Sequence, residues 1–278
     1  MLANAGWLAA ITLFAATING ALGYGFSSIT VPLALLFLSN RMLNPALVLV
    51  EVPLNAYVLW TNRSALPSLW KRFLPMVIGL LPGIIGGTIL ISHVSPEWMK
   101  LTTYAALLPL ILLQVAGFRR PIQAEQAAGL AFGGAIGVLY SVTTISGPPL
   151  AIMLNNQGLA KREFRAALGF VRLAESSMTA VAYLYSGLFT RESMGLIPWI
   201  LPSILIGVPV GVRLIGHISP EIFRRVCMSF DAWIVAFGLS KLMDDMKFFP
   251  GHRSFWILAS VISLDSWLLV RFFRTKKT

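Results

Sequence analysis

The sequence predicts an all-α, polytopic transmembrane helical bundle of two inverted repeats, each beginning with a broken or hairpin helix, plus one extra C-terminal helix. Apolar residues make up 56% of the 278-residue chain and charged residues only 12%, whereas soluble domains carry about 25% charged residues. Long apolar segments recur, and short motifs return at a constant spacing. This composition excludes soluble and disordered proteins, and the single cysteine, Cys227, excludes a disulfide scaffold.

The apolar segments define the predicted helices. Most of them reach the roughly 20 residues that a spanning helix needs, but 26–39 and 148–156 are too short. Each short segment follows a break rich in glycine and hydroxyl residues, so we expect half-helices that end in the membrane or turn back within it. The segments in chain order are 5–22, 26–39, 45–61, 73–92, 99–118, 124–142, 148–156, 165–189, 196–216, 221–242 and 254–272.

The net charge of +11 comes mainly from lysine and arginine in short loops, which indicates membrane topology rather than a nucleic-acid partner. If each short segment forms a hairpin with the helix before it, most basic loop residues share one side with the C-terminal tail. Positive loops face the cytoplasm. We therefore expect a protein integral to the cytoplasmic (inner or plasma) membrane, with its N-terminus outside and its C-terminus inside.

An internal duplication organises the chain. The segment SHVSPE at 92–97 returns as GHISPE at 216–221. Other matched pairs are Gly83 with Gly207, Gly87 with Gly211, Glu51 with Glu175 and, after a loop of different length, Gly20 with Gly137. We therefore predict a first membrane repeat (1–118), a second repeat (119–242) and an appended helix with a basic tail (243–278). The loop charges give the repeats opposite orientations, as in many secondary transporters.

Two polar motifs, GYGFSSITVP at 23–32 and SVTTISGPPL at 141–150, occupy corresponding places in the repeats. Glycine and proline favour a helix break there, and a break exposes a half-helix N-terminus that suits an anion. Ordinary packing of small residues is the alternative, but two motifs at repeat-related places favour a binding site. The residues expected to bind the substrate there are Ser27, Ser28, Thr30, Thr143, Thr144, Ser146 and Gly147.

These motifs resemble those of the TauE/SafE sulfite exporter family. The resemblance lies in the repeated Gly-rich break ending in proline, the ISGPPLAI stretch and the following FRAAL segment, and it covers about residues 10–242. It implies transport of small, often sulfur-containing anions such as sulfite or organosulfonates. The first motif departs from the family's run of glycines by having Ser27 and Ser28, and the C-terminal helix is extra.

Charged residues inside apolar segments are costly, and they are usually paired or functional. Arg172 lies three residues before Glu175, so the two could pair on one helix face. Alternatively, Arg172 contacts the anion and Glu175 takes a proton. Glu51 has no basic residue within a helical turn, which fits a proton carrier or a neutral, hydrogen-bonded acid. The sequence assigns no role to Asp231, and Asp265 could face a partner protein.

These features together predict a secondary or passive transporter of a small anion that works by alternating access, not an enzyme. An intramembrane hydrolase would need a base beside Ser146, and all three histidines lie in loops. No metal-ligand cluster and no GxxxxGK[ST] loop is present in the sequence, so we expect neither a metal nor a cofactor.

The expected partners are a small anion, the lipid bilayer, and protons or another coupling ion, without nucleic acid; an oligomer is compatible with the sequence. A non-transporting membrane subunit or assembly partner is the other alternative. The duplicated breaks argue against it, because an anchor has no need of polar breaks at membrane depth.

Overall fold

The computed structural model describes residues 2–116, 125–155, 159–214, 220–249 and 252–275. These residues form α-helices and one short 3-10 turn, and they include no β-strand. The helices are α1 Leu2–Leu22, α2 Phe26–Ala34, α3 Asn40–Asn62, α4 Leu66–His93, α5 Pro96–Val115, α6 Glu125–Thr143, α7 Gly147–Asn155, α8 Lys161–Tyr185, α9 Arg191–Met194, α10 Ile197–Leu214, α11 Pro220–Asp245 and α12 Phe255–Thr275.

Several stretches of the described chain are long and apolar enough to cross a membrane. They are Ala5–Leu22, Asn40–His93 (which contains both α3 and α4), Arg191–Leu214, Arg225–Asp245 and Phe255–Arg274. Large apolar side chains are exposed on their outer faces, as lipid contact requires, among them Trp7, Leu205 and Trp256. The predicted all-α, polytopic membrane fold is therefore confirmed.

The two short predicted segments are half-helices. α2 and α7 have nine residues each, a length of about 13 Å, which is less than half of the roughly 30 Å hydrocarbon core. Each follows a long helix, α1 or α6, after a break of three residues. The backbone is left-handed in both breaks, with φ angles of 85° at Gly23, 108° at Gly25 and 56° at Thr144. The helices thus break where the polar motifs predict.

The two halves exchange packing partners. α4 of the first half packs along α6 of the second, and α10 of the second half packs along α1 of the first. In the same way α5 contacts α7 and α11 contacts α2, while α3 and α8 pack against each other. A duplication with pseudo-twofold packing would produce this pattern. The division into repeats and their opposite orientation in the membrane stay predictions.

Matched glycines lie in the two reciprocal helix interfaces. A Cβ added at Gly207 on α10 would lie 2.7 Å from the Cβ of Ala16 and 2.8 Å from the carbonyl oxygen of Leu13, both on α1. A Cβ added at Gly83 on α4 would overlap the carbonyl oxygen of Gly134 on α6. Glycine at these positions therefore lets the helix backbones touch, and such close packing drives helix association in membranes.

The extra helix α12 packs on α11 and is held there by a buried ion pair. Arg225 donates to Asp265 at 2.9 Å, and Ser229 accepts from Arg225 at 2.7 Å and donates to Asp265 at 3.2 Å. The expectation that Asp265 could face a partner protein is corrected, since its charge is compensated within the chain. The basic segments 117–124 and 276–278, and 215–219 of the duplicated motif, lie outside the described residues.

Candidate functional site

The N-terminal ends of the two half-helices lie next to each other inside the bundle. A Cβ added at Gly147, the first residue of α7, would lie 3.5 Å from the ring of Tyr24 and 3.9 Å from the backbone nitrogen of Gly25, just before α2. The first turns of both half-helices are buried. The first N–H groups of a helix have no intrahelical partner, so the start of α2 supplies those of Phe26, Ser27 and Ser28. The start of α7 supplies only that of Gly147, because Pro148 and Pro149 have no N–H and the Leu150 N–H donates to the Ser146 carbonyl at 3.0 Å. These donors and the positive ends of the two helix dipoles meet in one buried region, which suits an anion.

Glu51 on α3 is the centre of a buried hydrogen-bond cluster. Its carboxylate accepts from Ser27 at the start of α2, from the Tyr140 hydroxyl on α6 at 2.6 Å and from Arg172 Nη2 on α8 at 3.1 Å. Glu51 has no exposed surface and Arg172 is only 4% exposed. Water therefore does not solvate this ion pair, and each charge depends on the other for compensation.

Arg172 does not form the ion pair that its spacing along α8 suggested. It reaches Glu51 across the helix interface, while Glu175 accepts from Ser146 at 2.6 Å. The second carboxylate oxygen of Glu175 is buried without a hydrogen-bond partner among the described residues. Each glutamate of the matched pair thus accepts a hydrogen bond from a hydroxyl at the start of the half-helix in the same half of the chain.

Two buried donors, one on α8 and one on α2, have no hydrogen-bond partner among the described residues. They are the Nε of Arg172 and the hydroxyl of Thr30 on α2, and both are buried. The neighbouring Ser28 hydroxyl donates to the Gly25 carbonyl at 3.2 Å. Buried donors without partners are rare and require an explanation, and a site that binds an anion supplies one.

Thr143 and Thr144 bind the backbone of the second break. The Thr143 hydroxyl donates to the Leu139 carbonyl at 2.7 Å and accepts from the Ile145 N–H at 3.0 Å. The Thr144 hydroxyl donates to the carbonyl of Thr143 at 2.7 Å. Both hydroxyls thus form hydrogen bonds with backbone groups of the break. In this conformation they stabilise the break and do not point a free donor at a ligand.

Side chains that the sequence pattern did not single out hold the broken end of α6. The Val142 carbonyl accepts from Asn44 at 2.6 Å and from Asn40 at 3.3 Å, and the Ser141 carbonyl accepts from the Tyr183 hydroxyl. The last carbonyls of a helix lack intrahelical partners, and at membrane depth the protein itself must satisfy them. Asparagine and tyrosine inside apolar segments were the available signal for these contacts.

The opposite end of α2 is held in a similar way by α5. The Tyr104 hydroxyl donates to the Pro32 carbonyl at 2.9 Å, and the Lys100 ammonium donates to the Leu35 carbonyl at 2.7 Å. Lys100 also places a positive charge at the C-terminal end of α2, where the helix dipole is negative. The C-terminal end of α2 is therefore fixed by contacts with α5.

Known proteins with similar sequences are named as membrane transporters or exporters. The family model described as Sulfite exporter TauE/SafE matches residues 8–237, which include both half-helices and end before α12. A relative from Comamonas testosteroni, "Probable inner membrane transporter protein TsaS", is 27% identical over 74% of this chain and 86% of its own length. A second, from Cupriavidus necator, "Probable sulfite/organosulfonate exporter TauE", is 23% identical over 63% of this chain and 68% of its own length. No solved structure matches. With its apolar helices and a family match over most of its length, the chain is a membrane transporter, not an enzyme, and belongs to the sulfite exporter TauE/SafE family.

Proposed function

We propose that this protein carries a small sulfur-containing anion, such as sulfite or an organosulfonate, across the inner membrane. The observation that carries the proposal is the meeting of two buried half-helix N-termini. The names of the two relatives, an inner membrane transporter and a sulfite/organosulfonate exporter, support the substrate class and the membrane.

The proposed binding site combines the backbone N–H groups at the start of α2 and the single free N–H of the first turn of α7, that of Gly147, with polar side chains. A sulfite or sulfonate group offers three oxygen acceptors, and a guanidinium can bind two of them at once. Gly147 lacks a side chain and so lets an anion approach the backbone of α7. The residues assigned to this site are Ser27, Ser28, Thr30, Ser146, Gly147 and Arg172, with Thr143 and Thr144 shaping the second break.

Proton coupling is proposed for Glu51 and Glu175. Arg172 contacts Glu51 in the present arrangement. If the anion binds the Arg172 guanidinium in place of Glu51, the Glu51 carboxylate is left buried without a cation. That is costly unless a proton neutralises the carboxylate. The anion and a proton would then occupy the site together. Glu175, which matches Glu51 in the duplication and contacts no cation among the described ion pairs, is the second proposed carrier.

The proposed movement is alternating access between the two repeats. Each repeat contributes one half-helix to the junction, and the helices of one repeat pack on those of the other. Movement of one repeat against the other would therefore open the junction first to one side and then to the other, as in other inverted-repeat transporters. The buried first turns of α2 and α7 are consistent with a closed conformation.

Flux in proteoliposomes tests the function. The purified protein is assayed with sulfite, sulfate, thiosulfate, sulfoacetate, acetate and chloride, with and without a pH gradient. We expect saturable, gradient-sensitive movement of a sulfur-containing anion. Arg172→Ala should abolish it, whereas Arg63→Ala, at an exposed loop position, should not. Movement of none of these anions by the wild-type protein would refute the proposal and favour a membrane subunit without its own substrate.

A further inference from the structure

A third buried carboxyl lies beside the first turn of α2. Asp231 on α11 is 7% exposed, and its Oδ1 has no hydrogen-bond partner among the described residues. It lines a cavity of about 10 Å³, whose walls include Gly25 and Ser28 of the first break and Pro148 of α7. Asp231 thus faces the junction of the two half-helices, although it lies outside the matched positions of the duplication.

Among the described residues, no cationic side chain lines this cavity. Its titratable neighbours are Tyr24 and Cys227. Arg225 lies on the same helix, about 9 Å away along the axis, and is bound to Asp265 of α12. From α5, which also packs on α11, Lys100 points its ammonium group to the C-terminal end of α2. Arg165 of α8 lies beside the first break, where a Cβ added at Gly23 would be 3.6 Å from its Nε, but it does not line the cavity. Asp231 forms no ion pair among the described residues.

The chemistry of this cavity favours a proton over a larger ligand. An ionised carboxylate without a cation is costly in a water-poor interior, whereas the protonated acid is neutral and can donate a hydrogen bond. The volume of about 10 Å³ suffices for one water molecule and is too small for a hydrated metal ion. A single water suffices to relay a proton.

We propose that Asp231 is a proton-binding site whose charge controls anion binding at the start of α2. The inference rests on the proposed anion transport. The positive end of the α2 dipole attracts any negative charge nearby, so an ionised Asp231 competes with the anion and repels it. A protonated Asp231 leaves the helix start to the anion. Proton binding at Asp231 therefore promotes anion binding, and proton release promotes anion release.

Infrared difference spectroscopy between acid and alkaline buffer tests the proton site without any transport. Wild-type protein should show a carbonyl band of a protonated carboxyl that Asp231→Asn lacks. Asp245→Asn, at an exposed position near the end of the same helix, should keep the band. Asp231→Glu should shift it, which preserves the test if the asparagine variant does not fold. A band unchanged in both Asp231 variants would overturn the inference.

Equilibrium binding of radiolabelled methanesulfonate, an organosulfonate, tests the control of the anion, because its only ionisable group, the sulfonate, keeps its charge in both buffers. Wild-type affinity should fall from acid to alkaline buffer, and Asp231→Asn should remove on the order of tenfold of this fall, equivalent to about 1.4 kcal/mol; the remainder comes from Glu51 and Glu175. If Asp231→Asn keeps the full wild-type pH dependence, the inference is wrong while the transport function stands. If wild-type protein binds and transports none of these anions, the proposed anion transport and its control by Asp231 are both wrong. The infrared band then decides separately whether Asp231 binds a proton.

Discussion

Removing Arg172 tests both the anion site and the buried ion pair. In Arg172→Ala, Glu51 keeps its hydrogen bonds from Ser27 and Tyr140 but loses its only cation among the described ion pairs. Removing one member of a buried pair costs about 3–5 kcal/mol, because the remaining charge is uncompensated. We expect Arg172→Ala to lose stability by this amount and to lose anion transport.

A compensating variant separates the two effects. In Arg172→Ala combined with Glu51→Gln no member of the pair is charged, and the glutamine oxygen can still accept from the hydroxyls of Ser27 and Tyr140. We expect stability to return to within about 1–2 kcal/mol of wild type, the remaining loss coming from the packing of the deleted arginine stem. Transport should stay absent, because the cation that we propose as the anion ligand is missing.

Unfolding in detergent micelles measures stability, and flux in proteoliposomes measures transport, with Arg63→Ala as the control in both assays. Wild-type flux in the double variant would show that Arg172 is not an anion ligand. Wild-type stability in Arg172→Ala would show that Glu51 does not depend on the pair, and the reasoning from buried charge would be refuted.

Backbone geometry, helix packing and orientation give three further predictions. Gly25→Ala puts a side chain on a residue with a φ of 108° and should lower the free energy of unfolding by about 1–3 kcal/mol. The control for the unfolding measurement is Gly86→Ala, where nothing lies within 4 Å of the new Cβ. Gly207→Val should force α10 away from α1, and size-exclusion chromatography should show less folded protein. With an outside N-terminus, Thr190 is expected outside the cell and Ser64 inside. In intact cells whose protein has Cys227 replaced by serine, an impermeant thiol reagent should therefore label Thr190→Cys but not Ser64→Cys. The reverse labelling pattern would contradict an outside N-terminus.

The half-helices were predictable because their causes are local. Glycine, proline and small hydroxyl residues act on the backbone where they stand, and α2 and α7 begin at Phe26 and Gly147, within a residue of the predicted starts. The end of α2 was less well predicted: the apolar segment runs to residue 39, whereas the helix ends at Ala34. Leu35–Leu38 are apolar but form a turn, because apolar composition indicates membrane depth and not the last residue of a helix.

The contacts within the site were not predictable from one sequence. Spacing along a helix reveals only neighbours three or four residues apart, and it suggested Glu175 as the partner of Arg172. The observed partner, Glu51, is 121 positions away, and Tyr140 comes from a further helix. Which helices contact each other depends on the packing of the whole bundle. That packing places Glu51, from the other half of the chain, against the Arg172 guanidinium.

The charges of the site do not follow the symmetry of its backbone. Glu51 and Glu175 match in the duplication, but the residue that matches Arg172 is Val48, which is buried and apolar. With both glutamates ionised the cluster has one negative charge in excess, and a bound anion adds another. A buried region cannot hold that excess without large cost. If the proposed anion binds here, we therefore expect proton binding to a carboxyl at this junction to accompany it, and we expect the single arginine to give one strong anion site where a fully symmetric pair would give two.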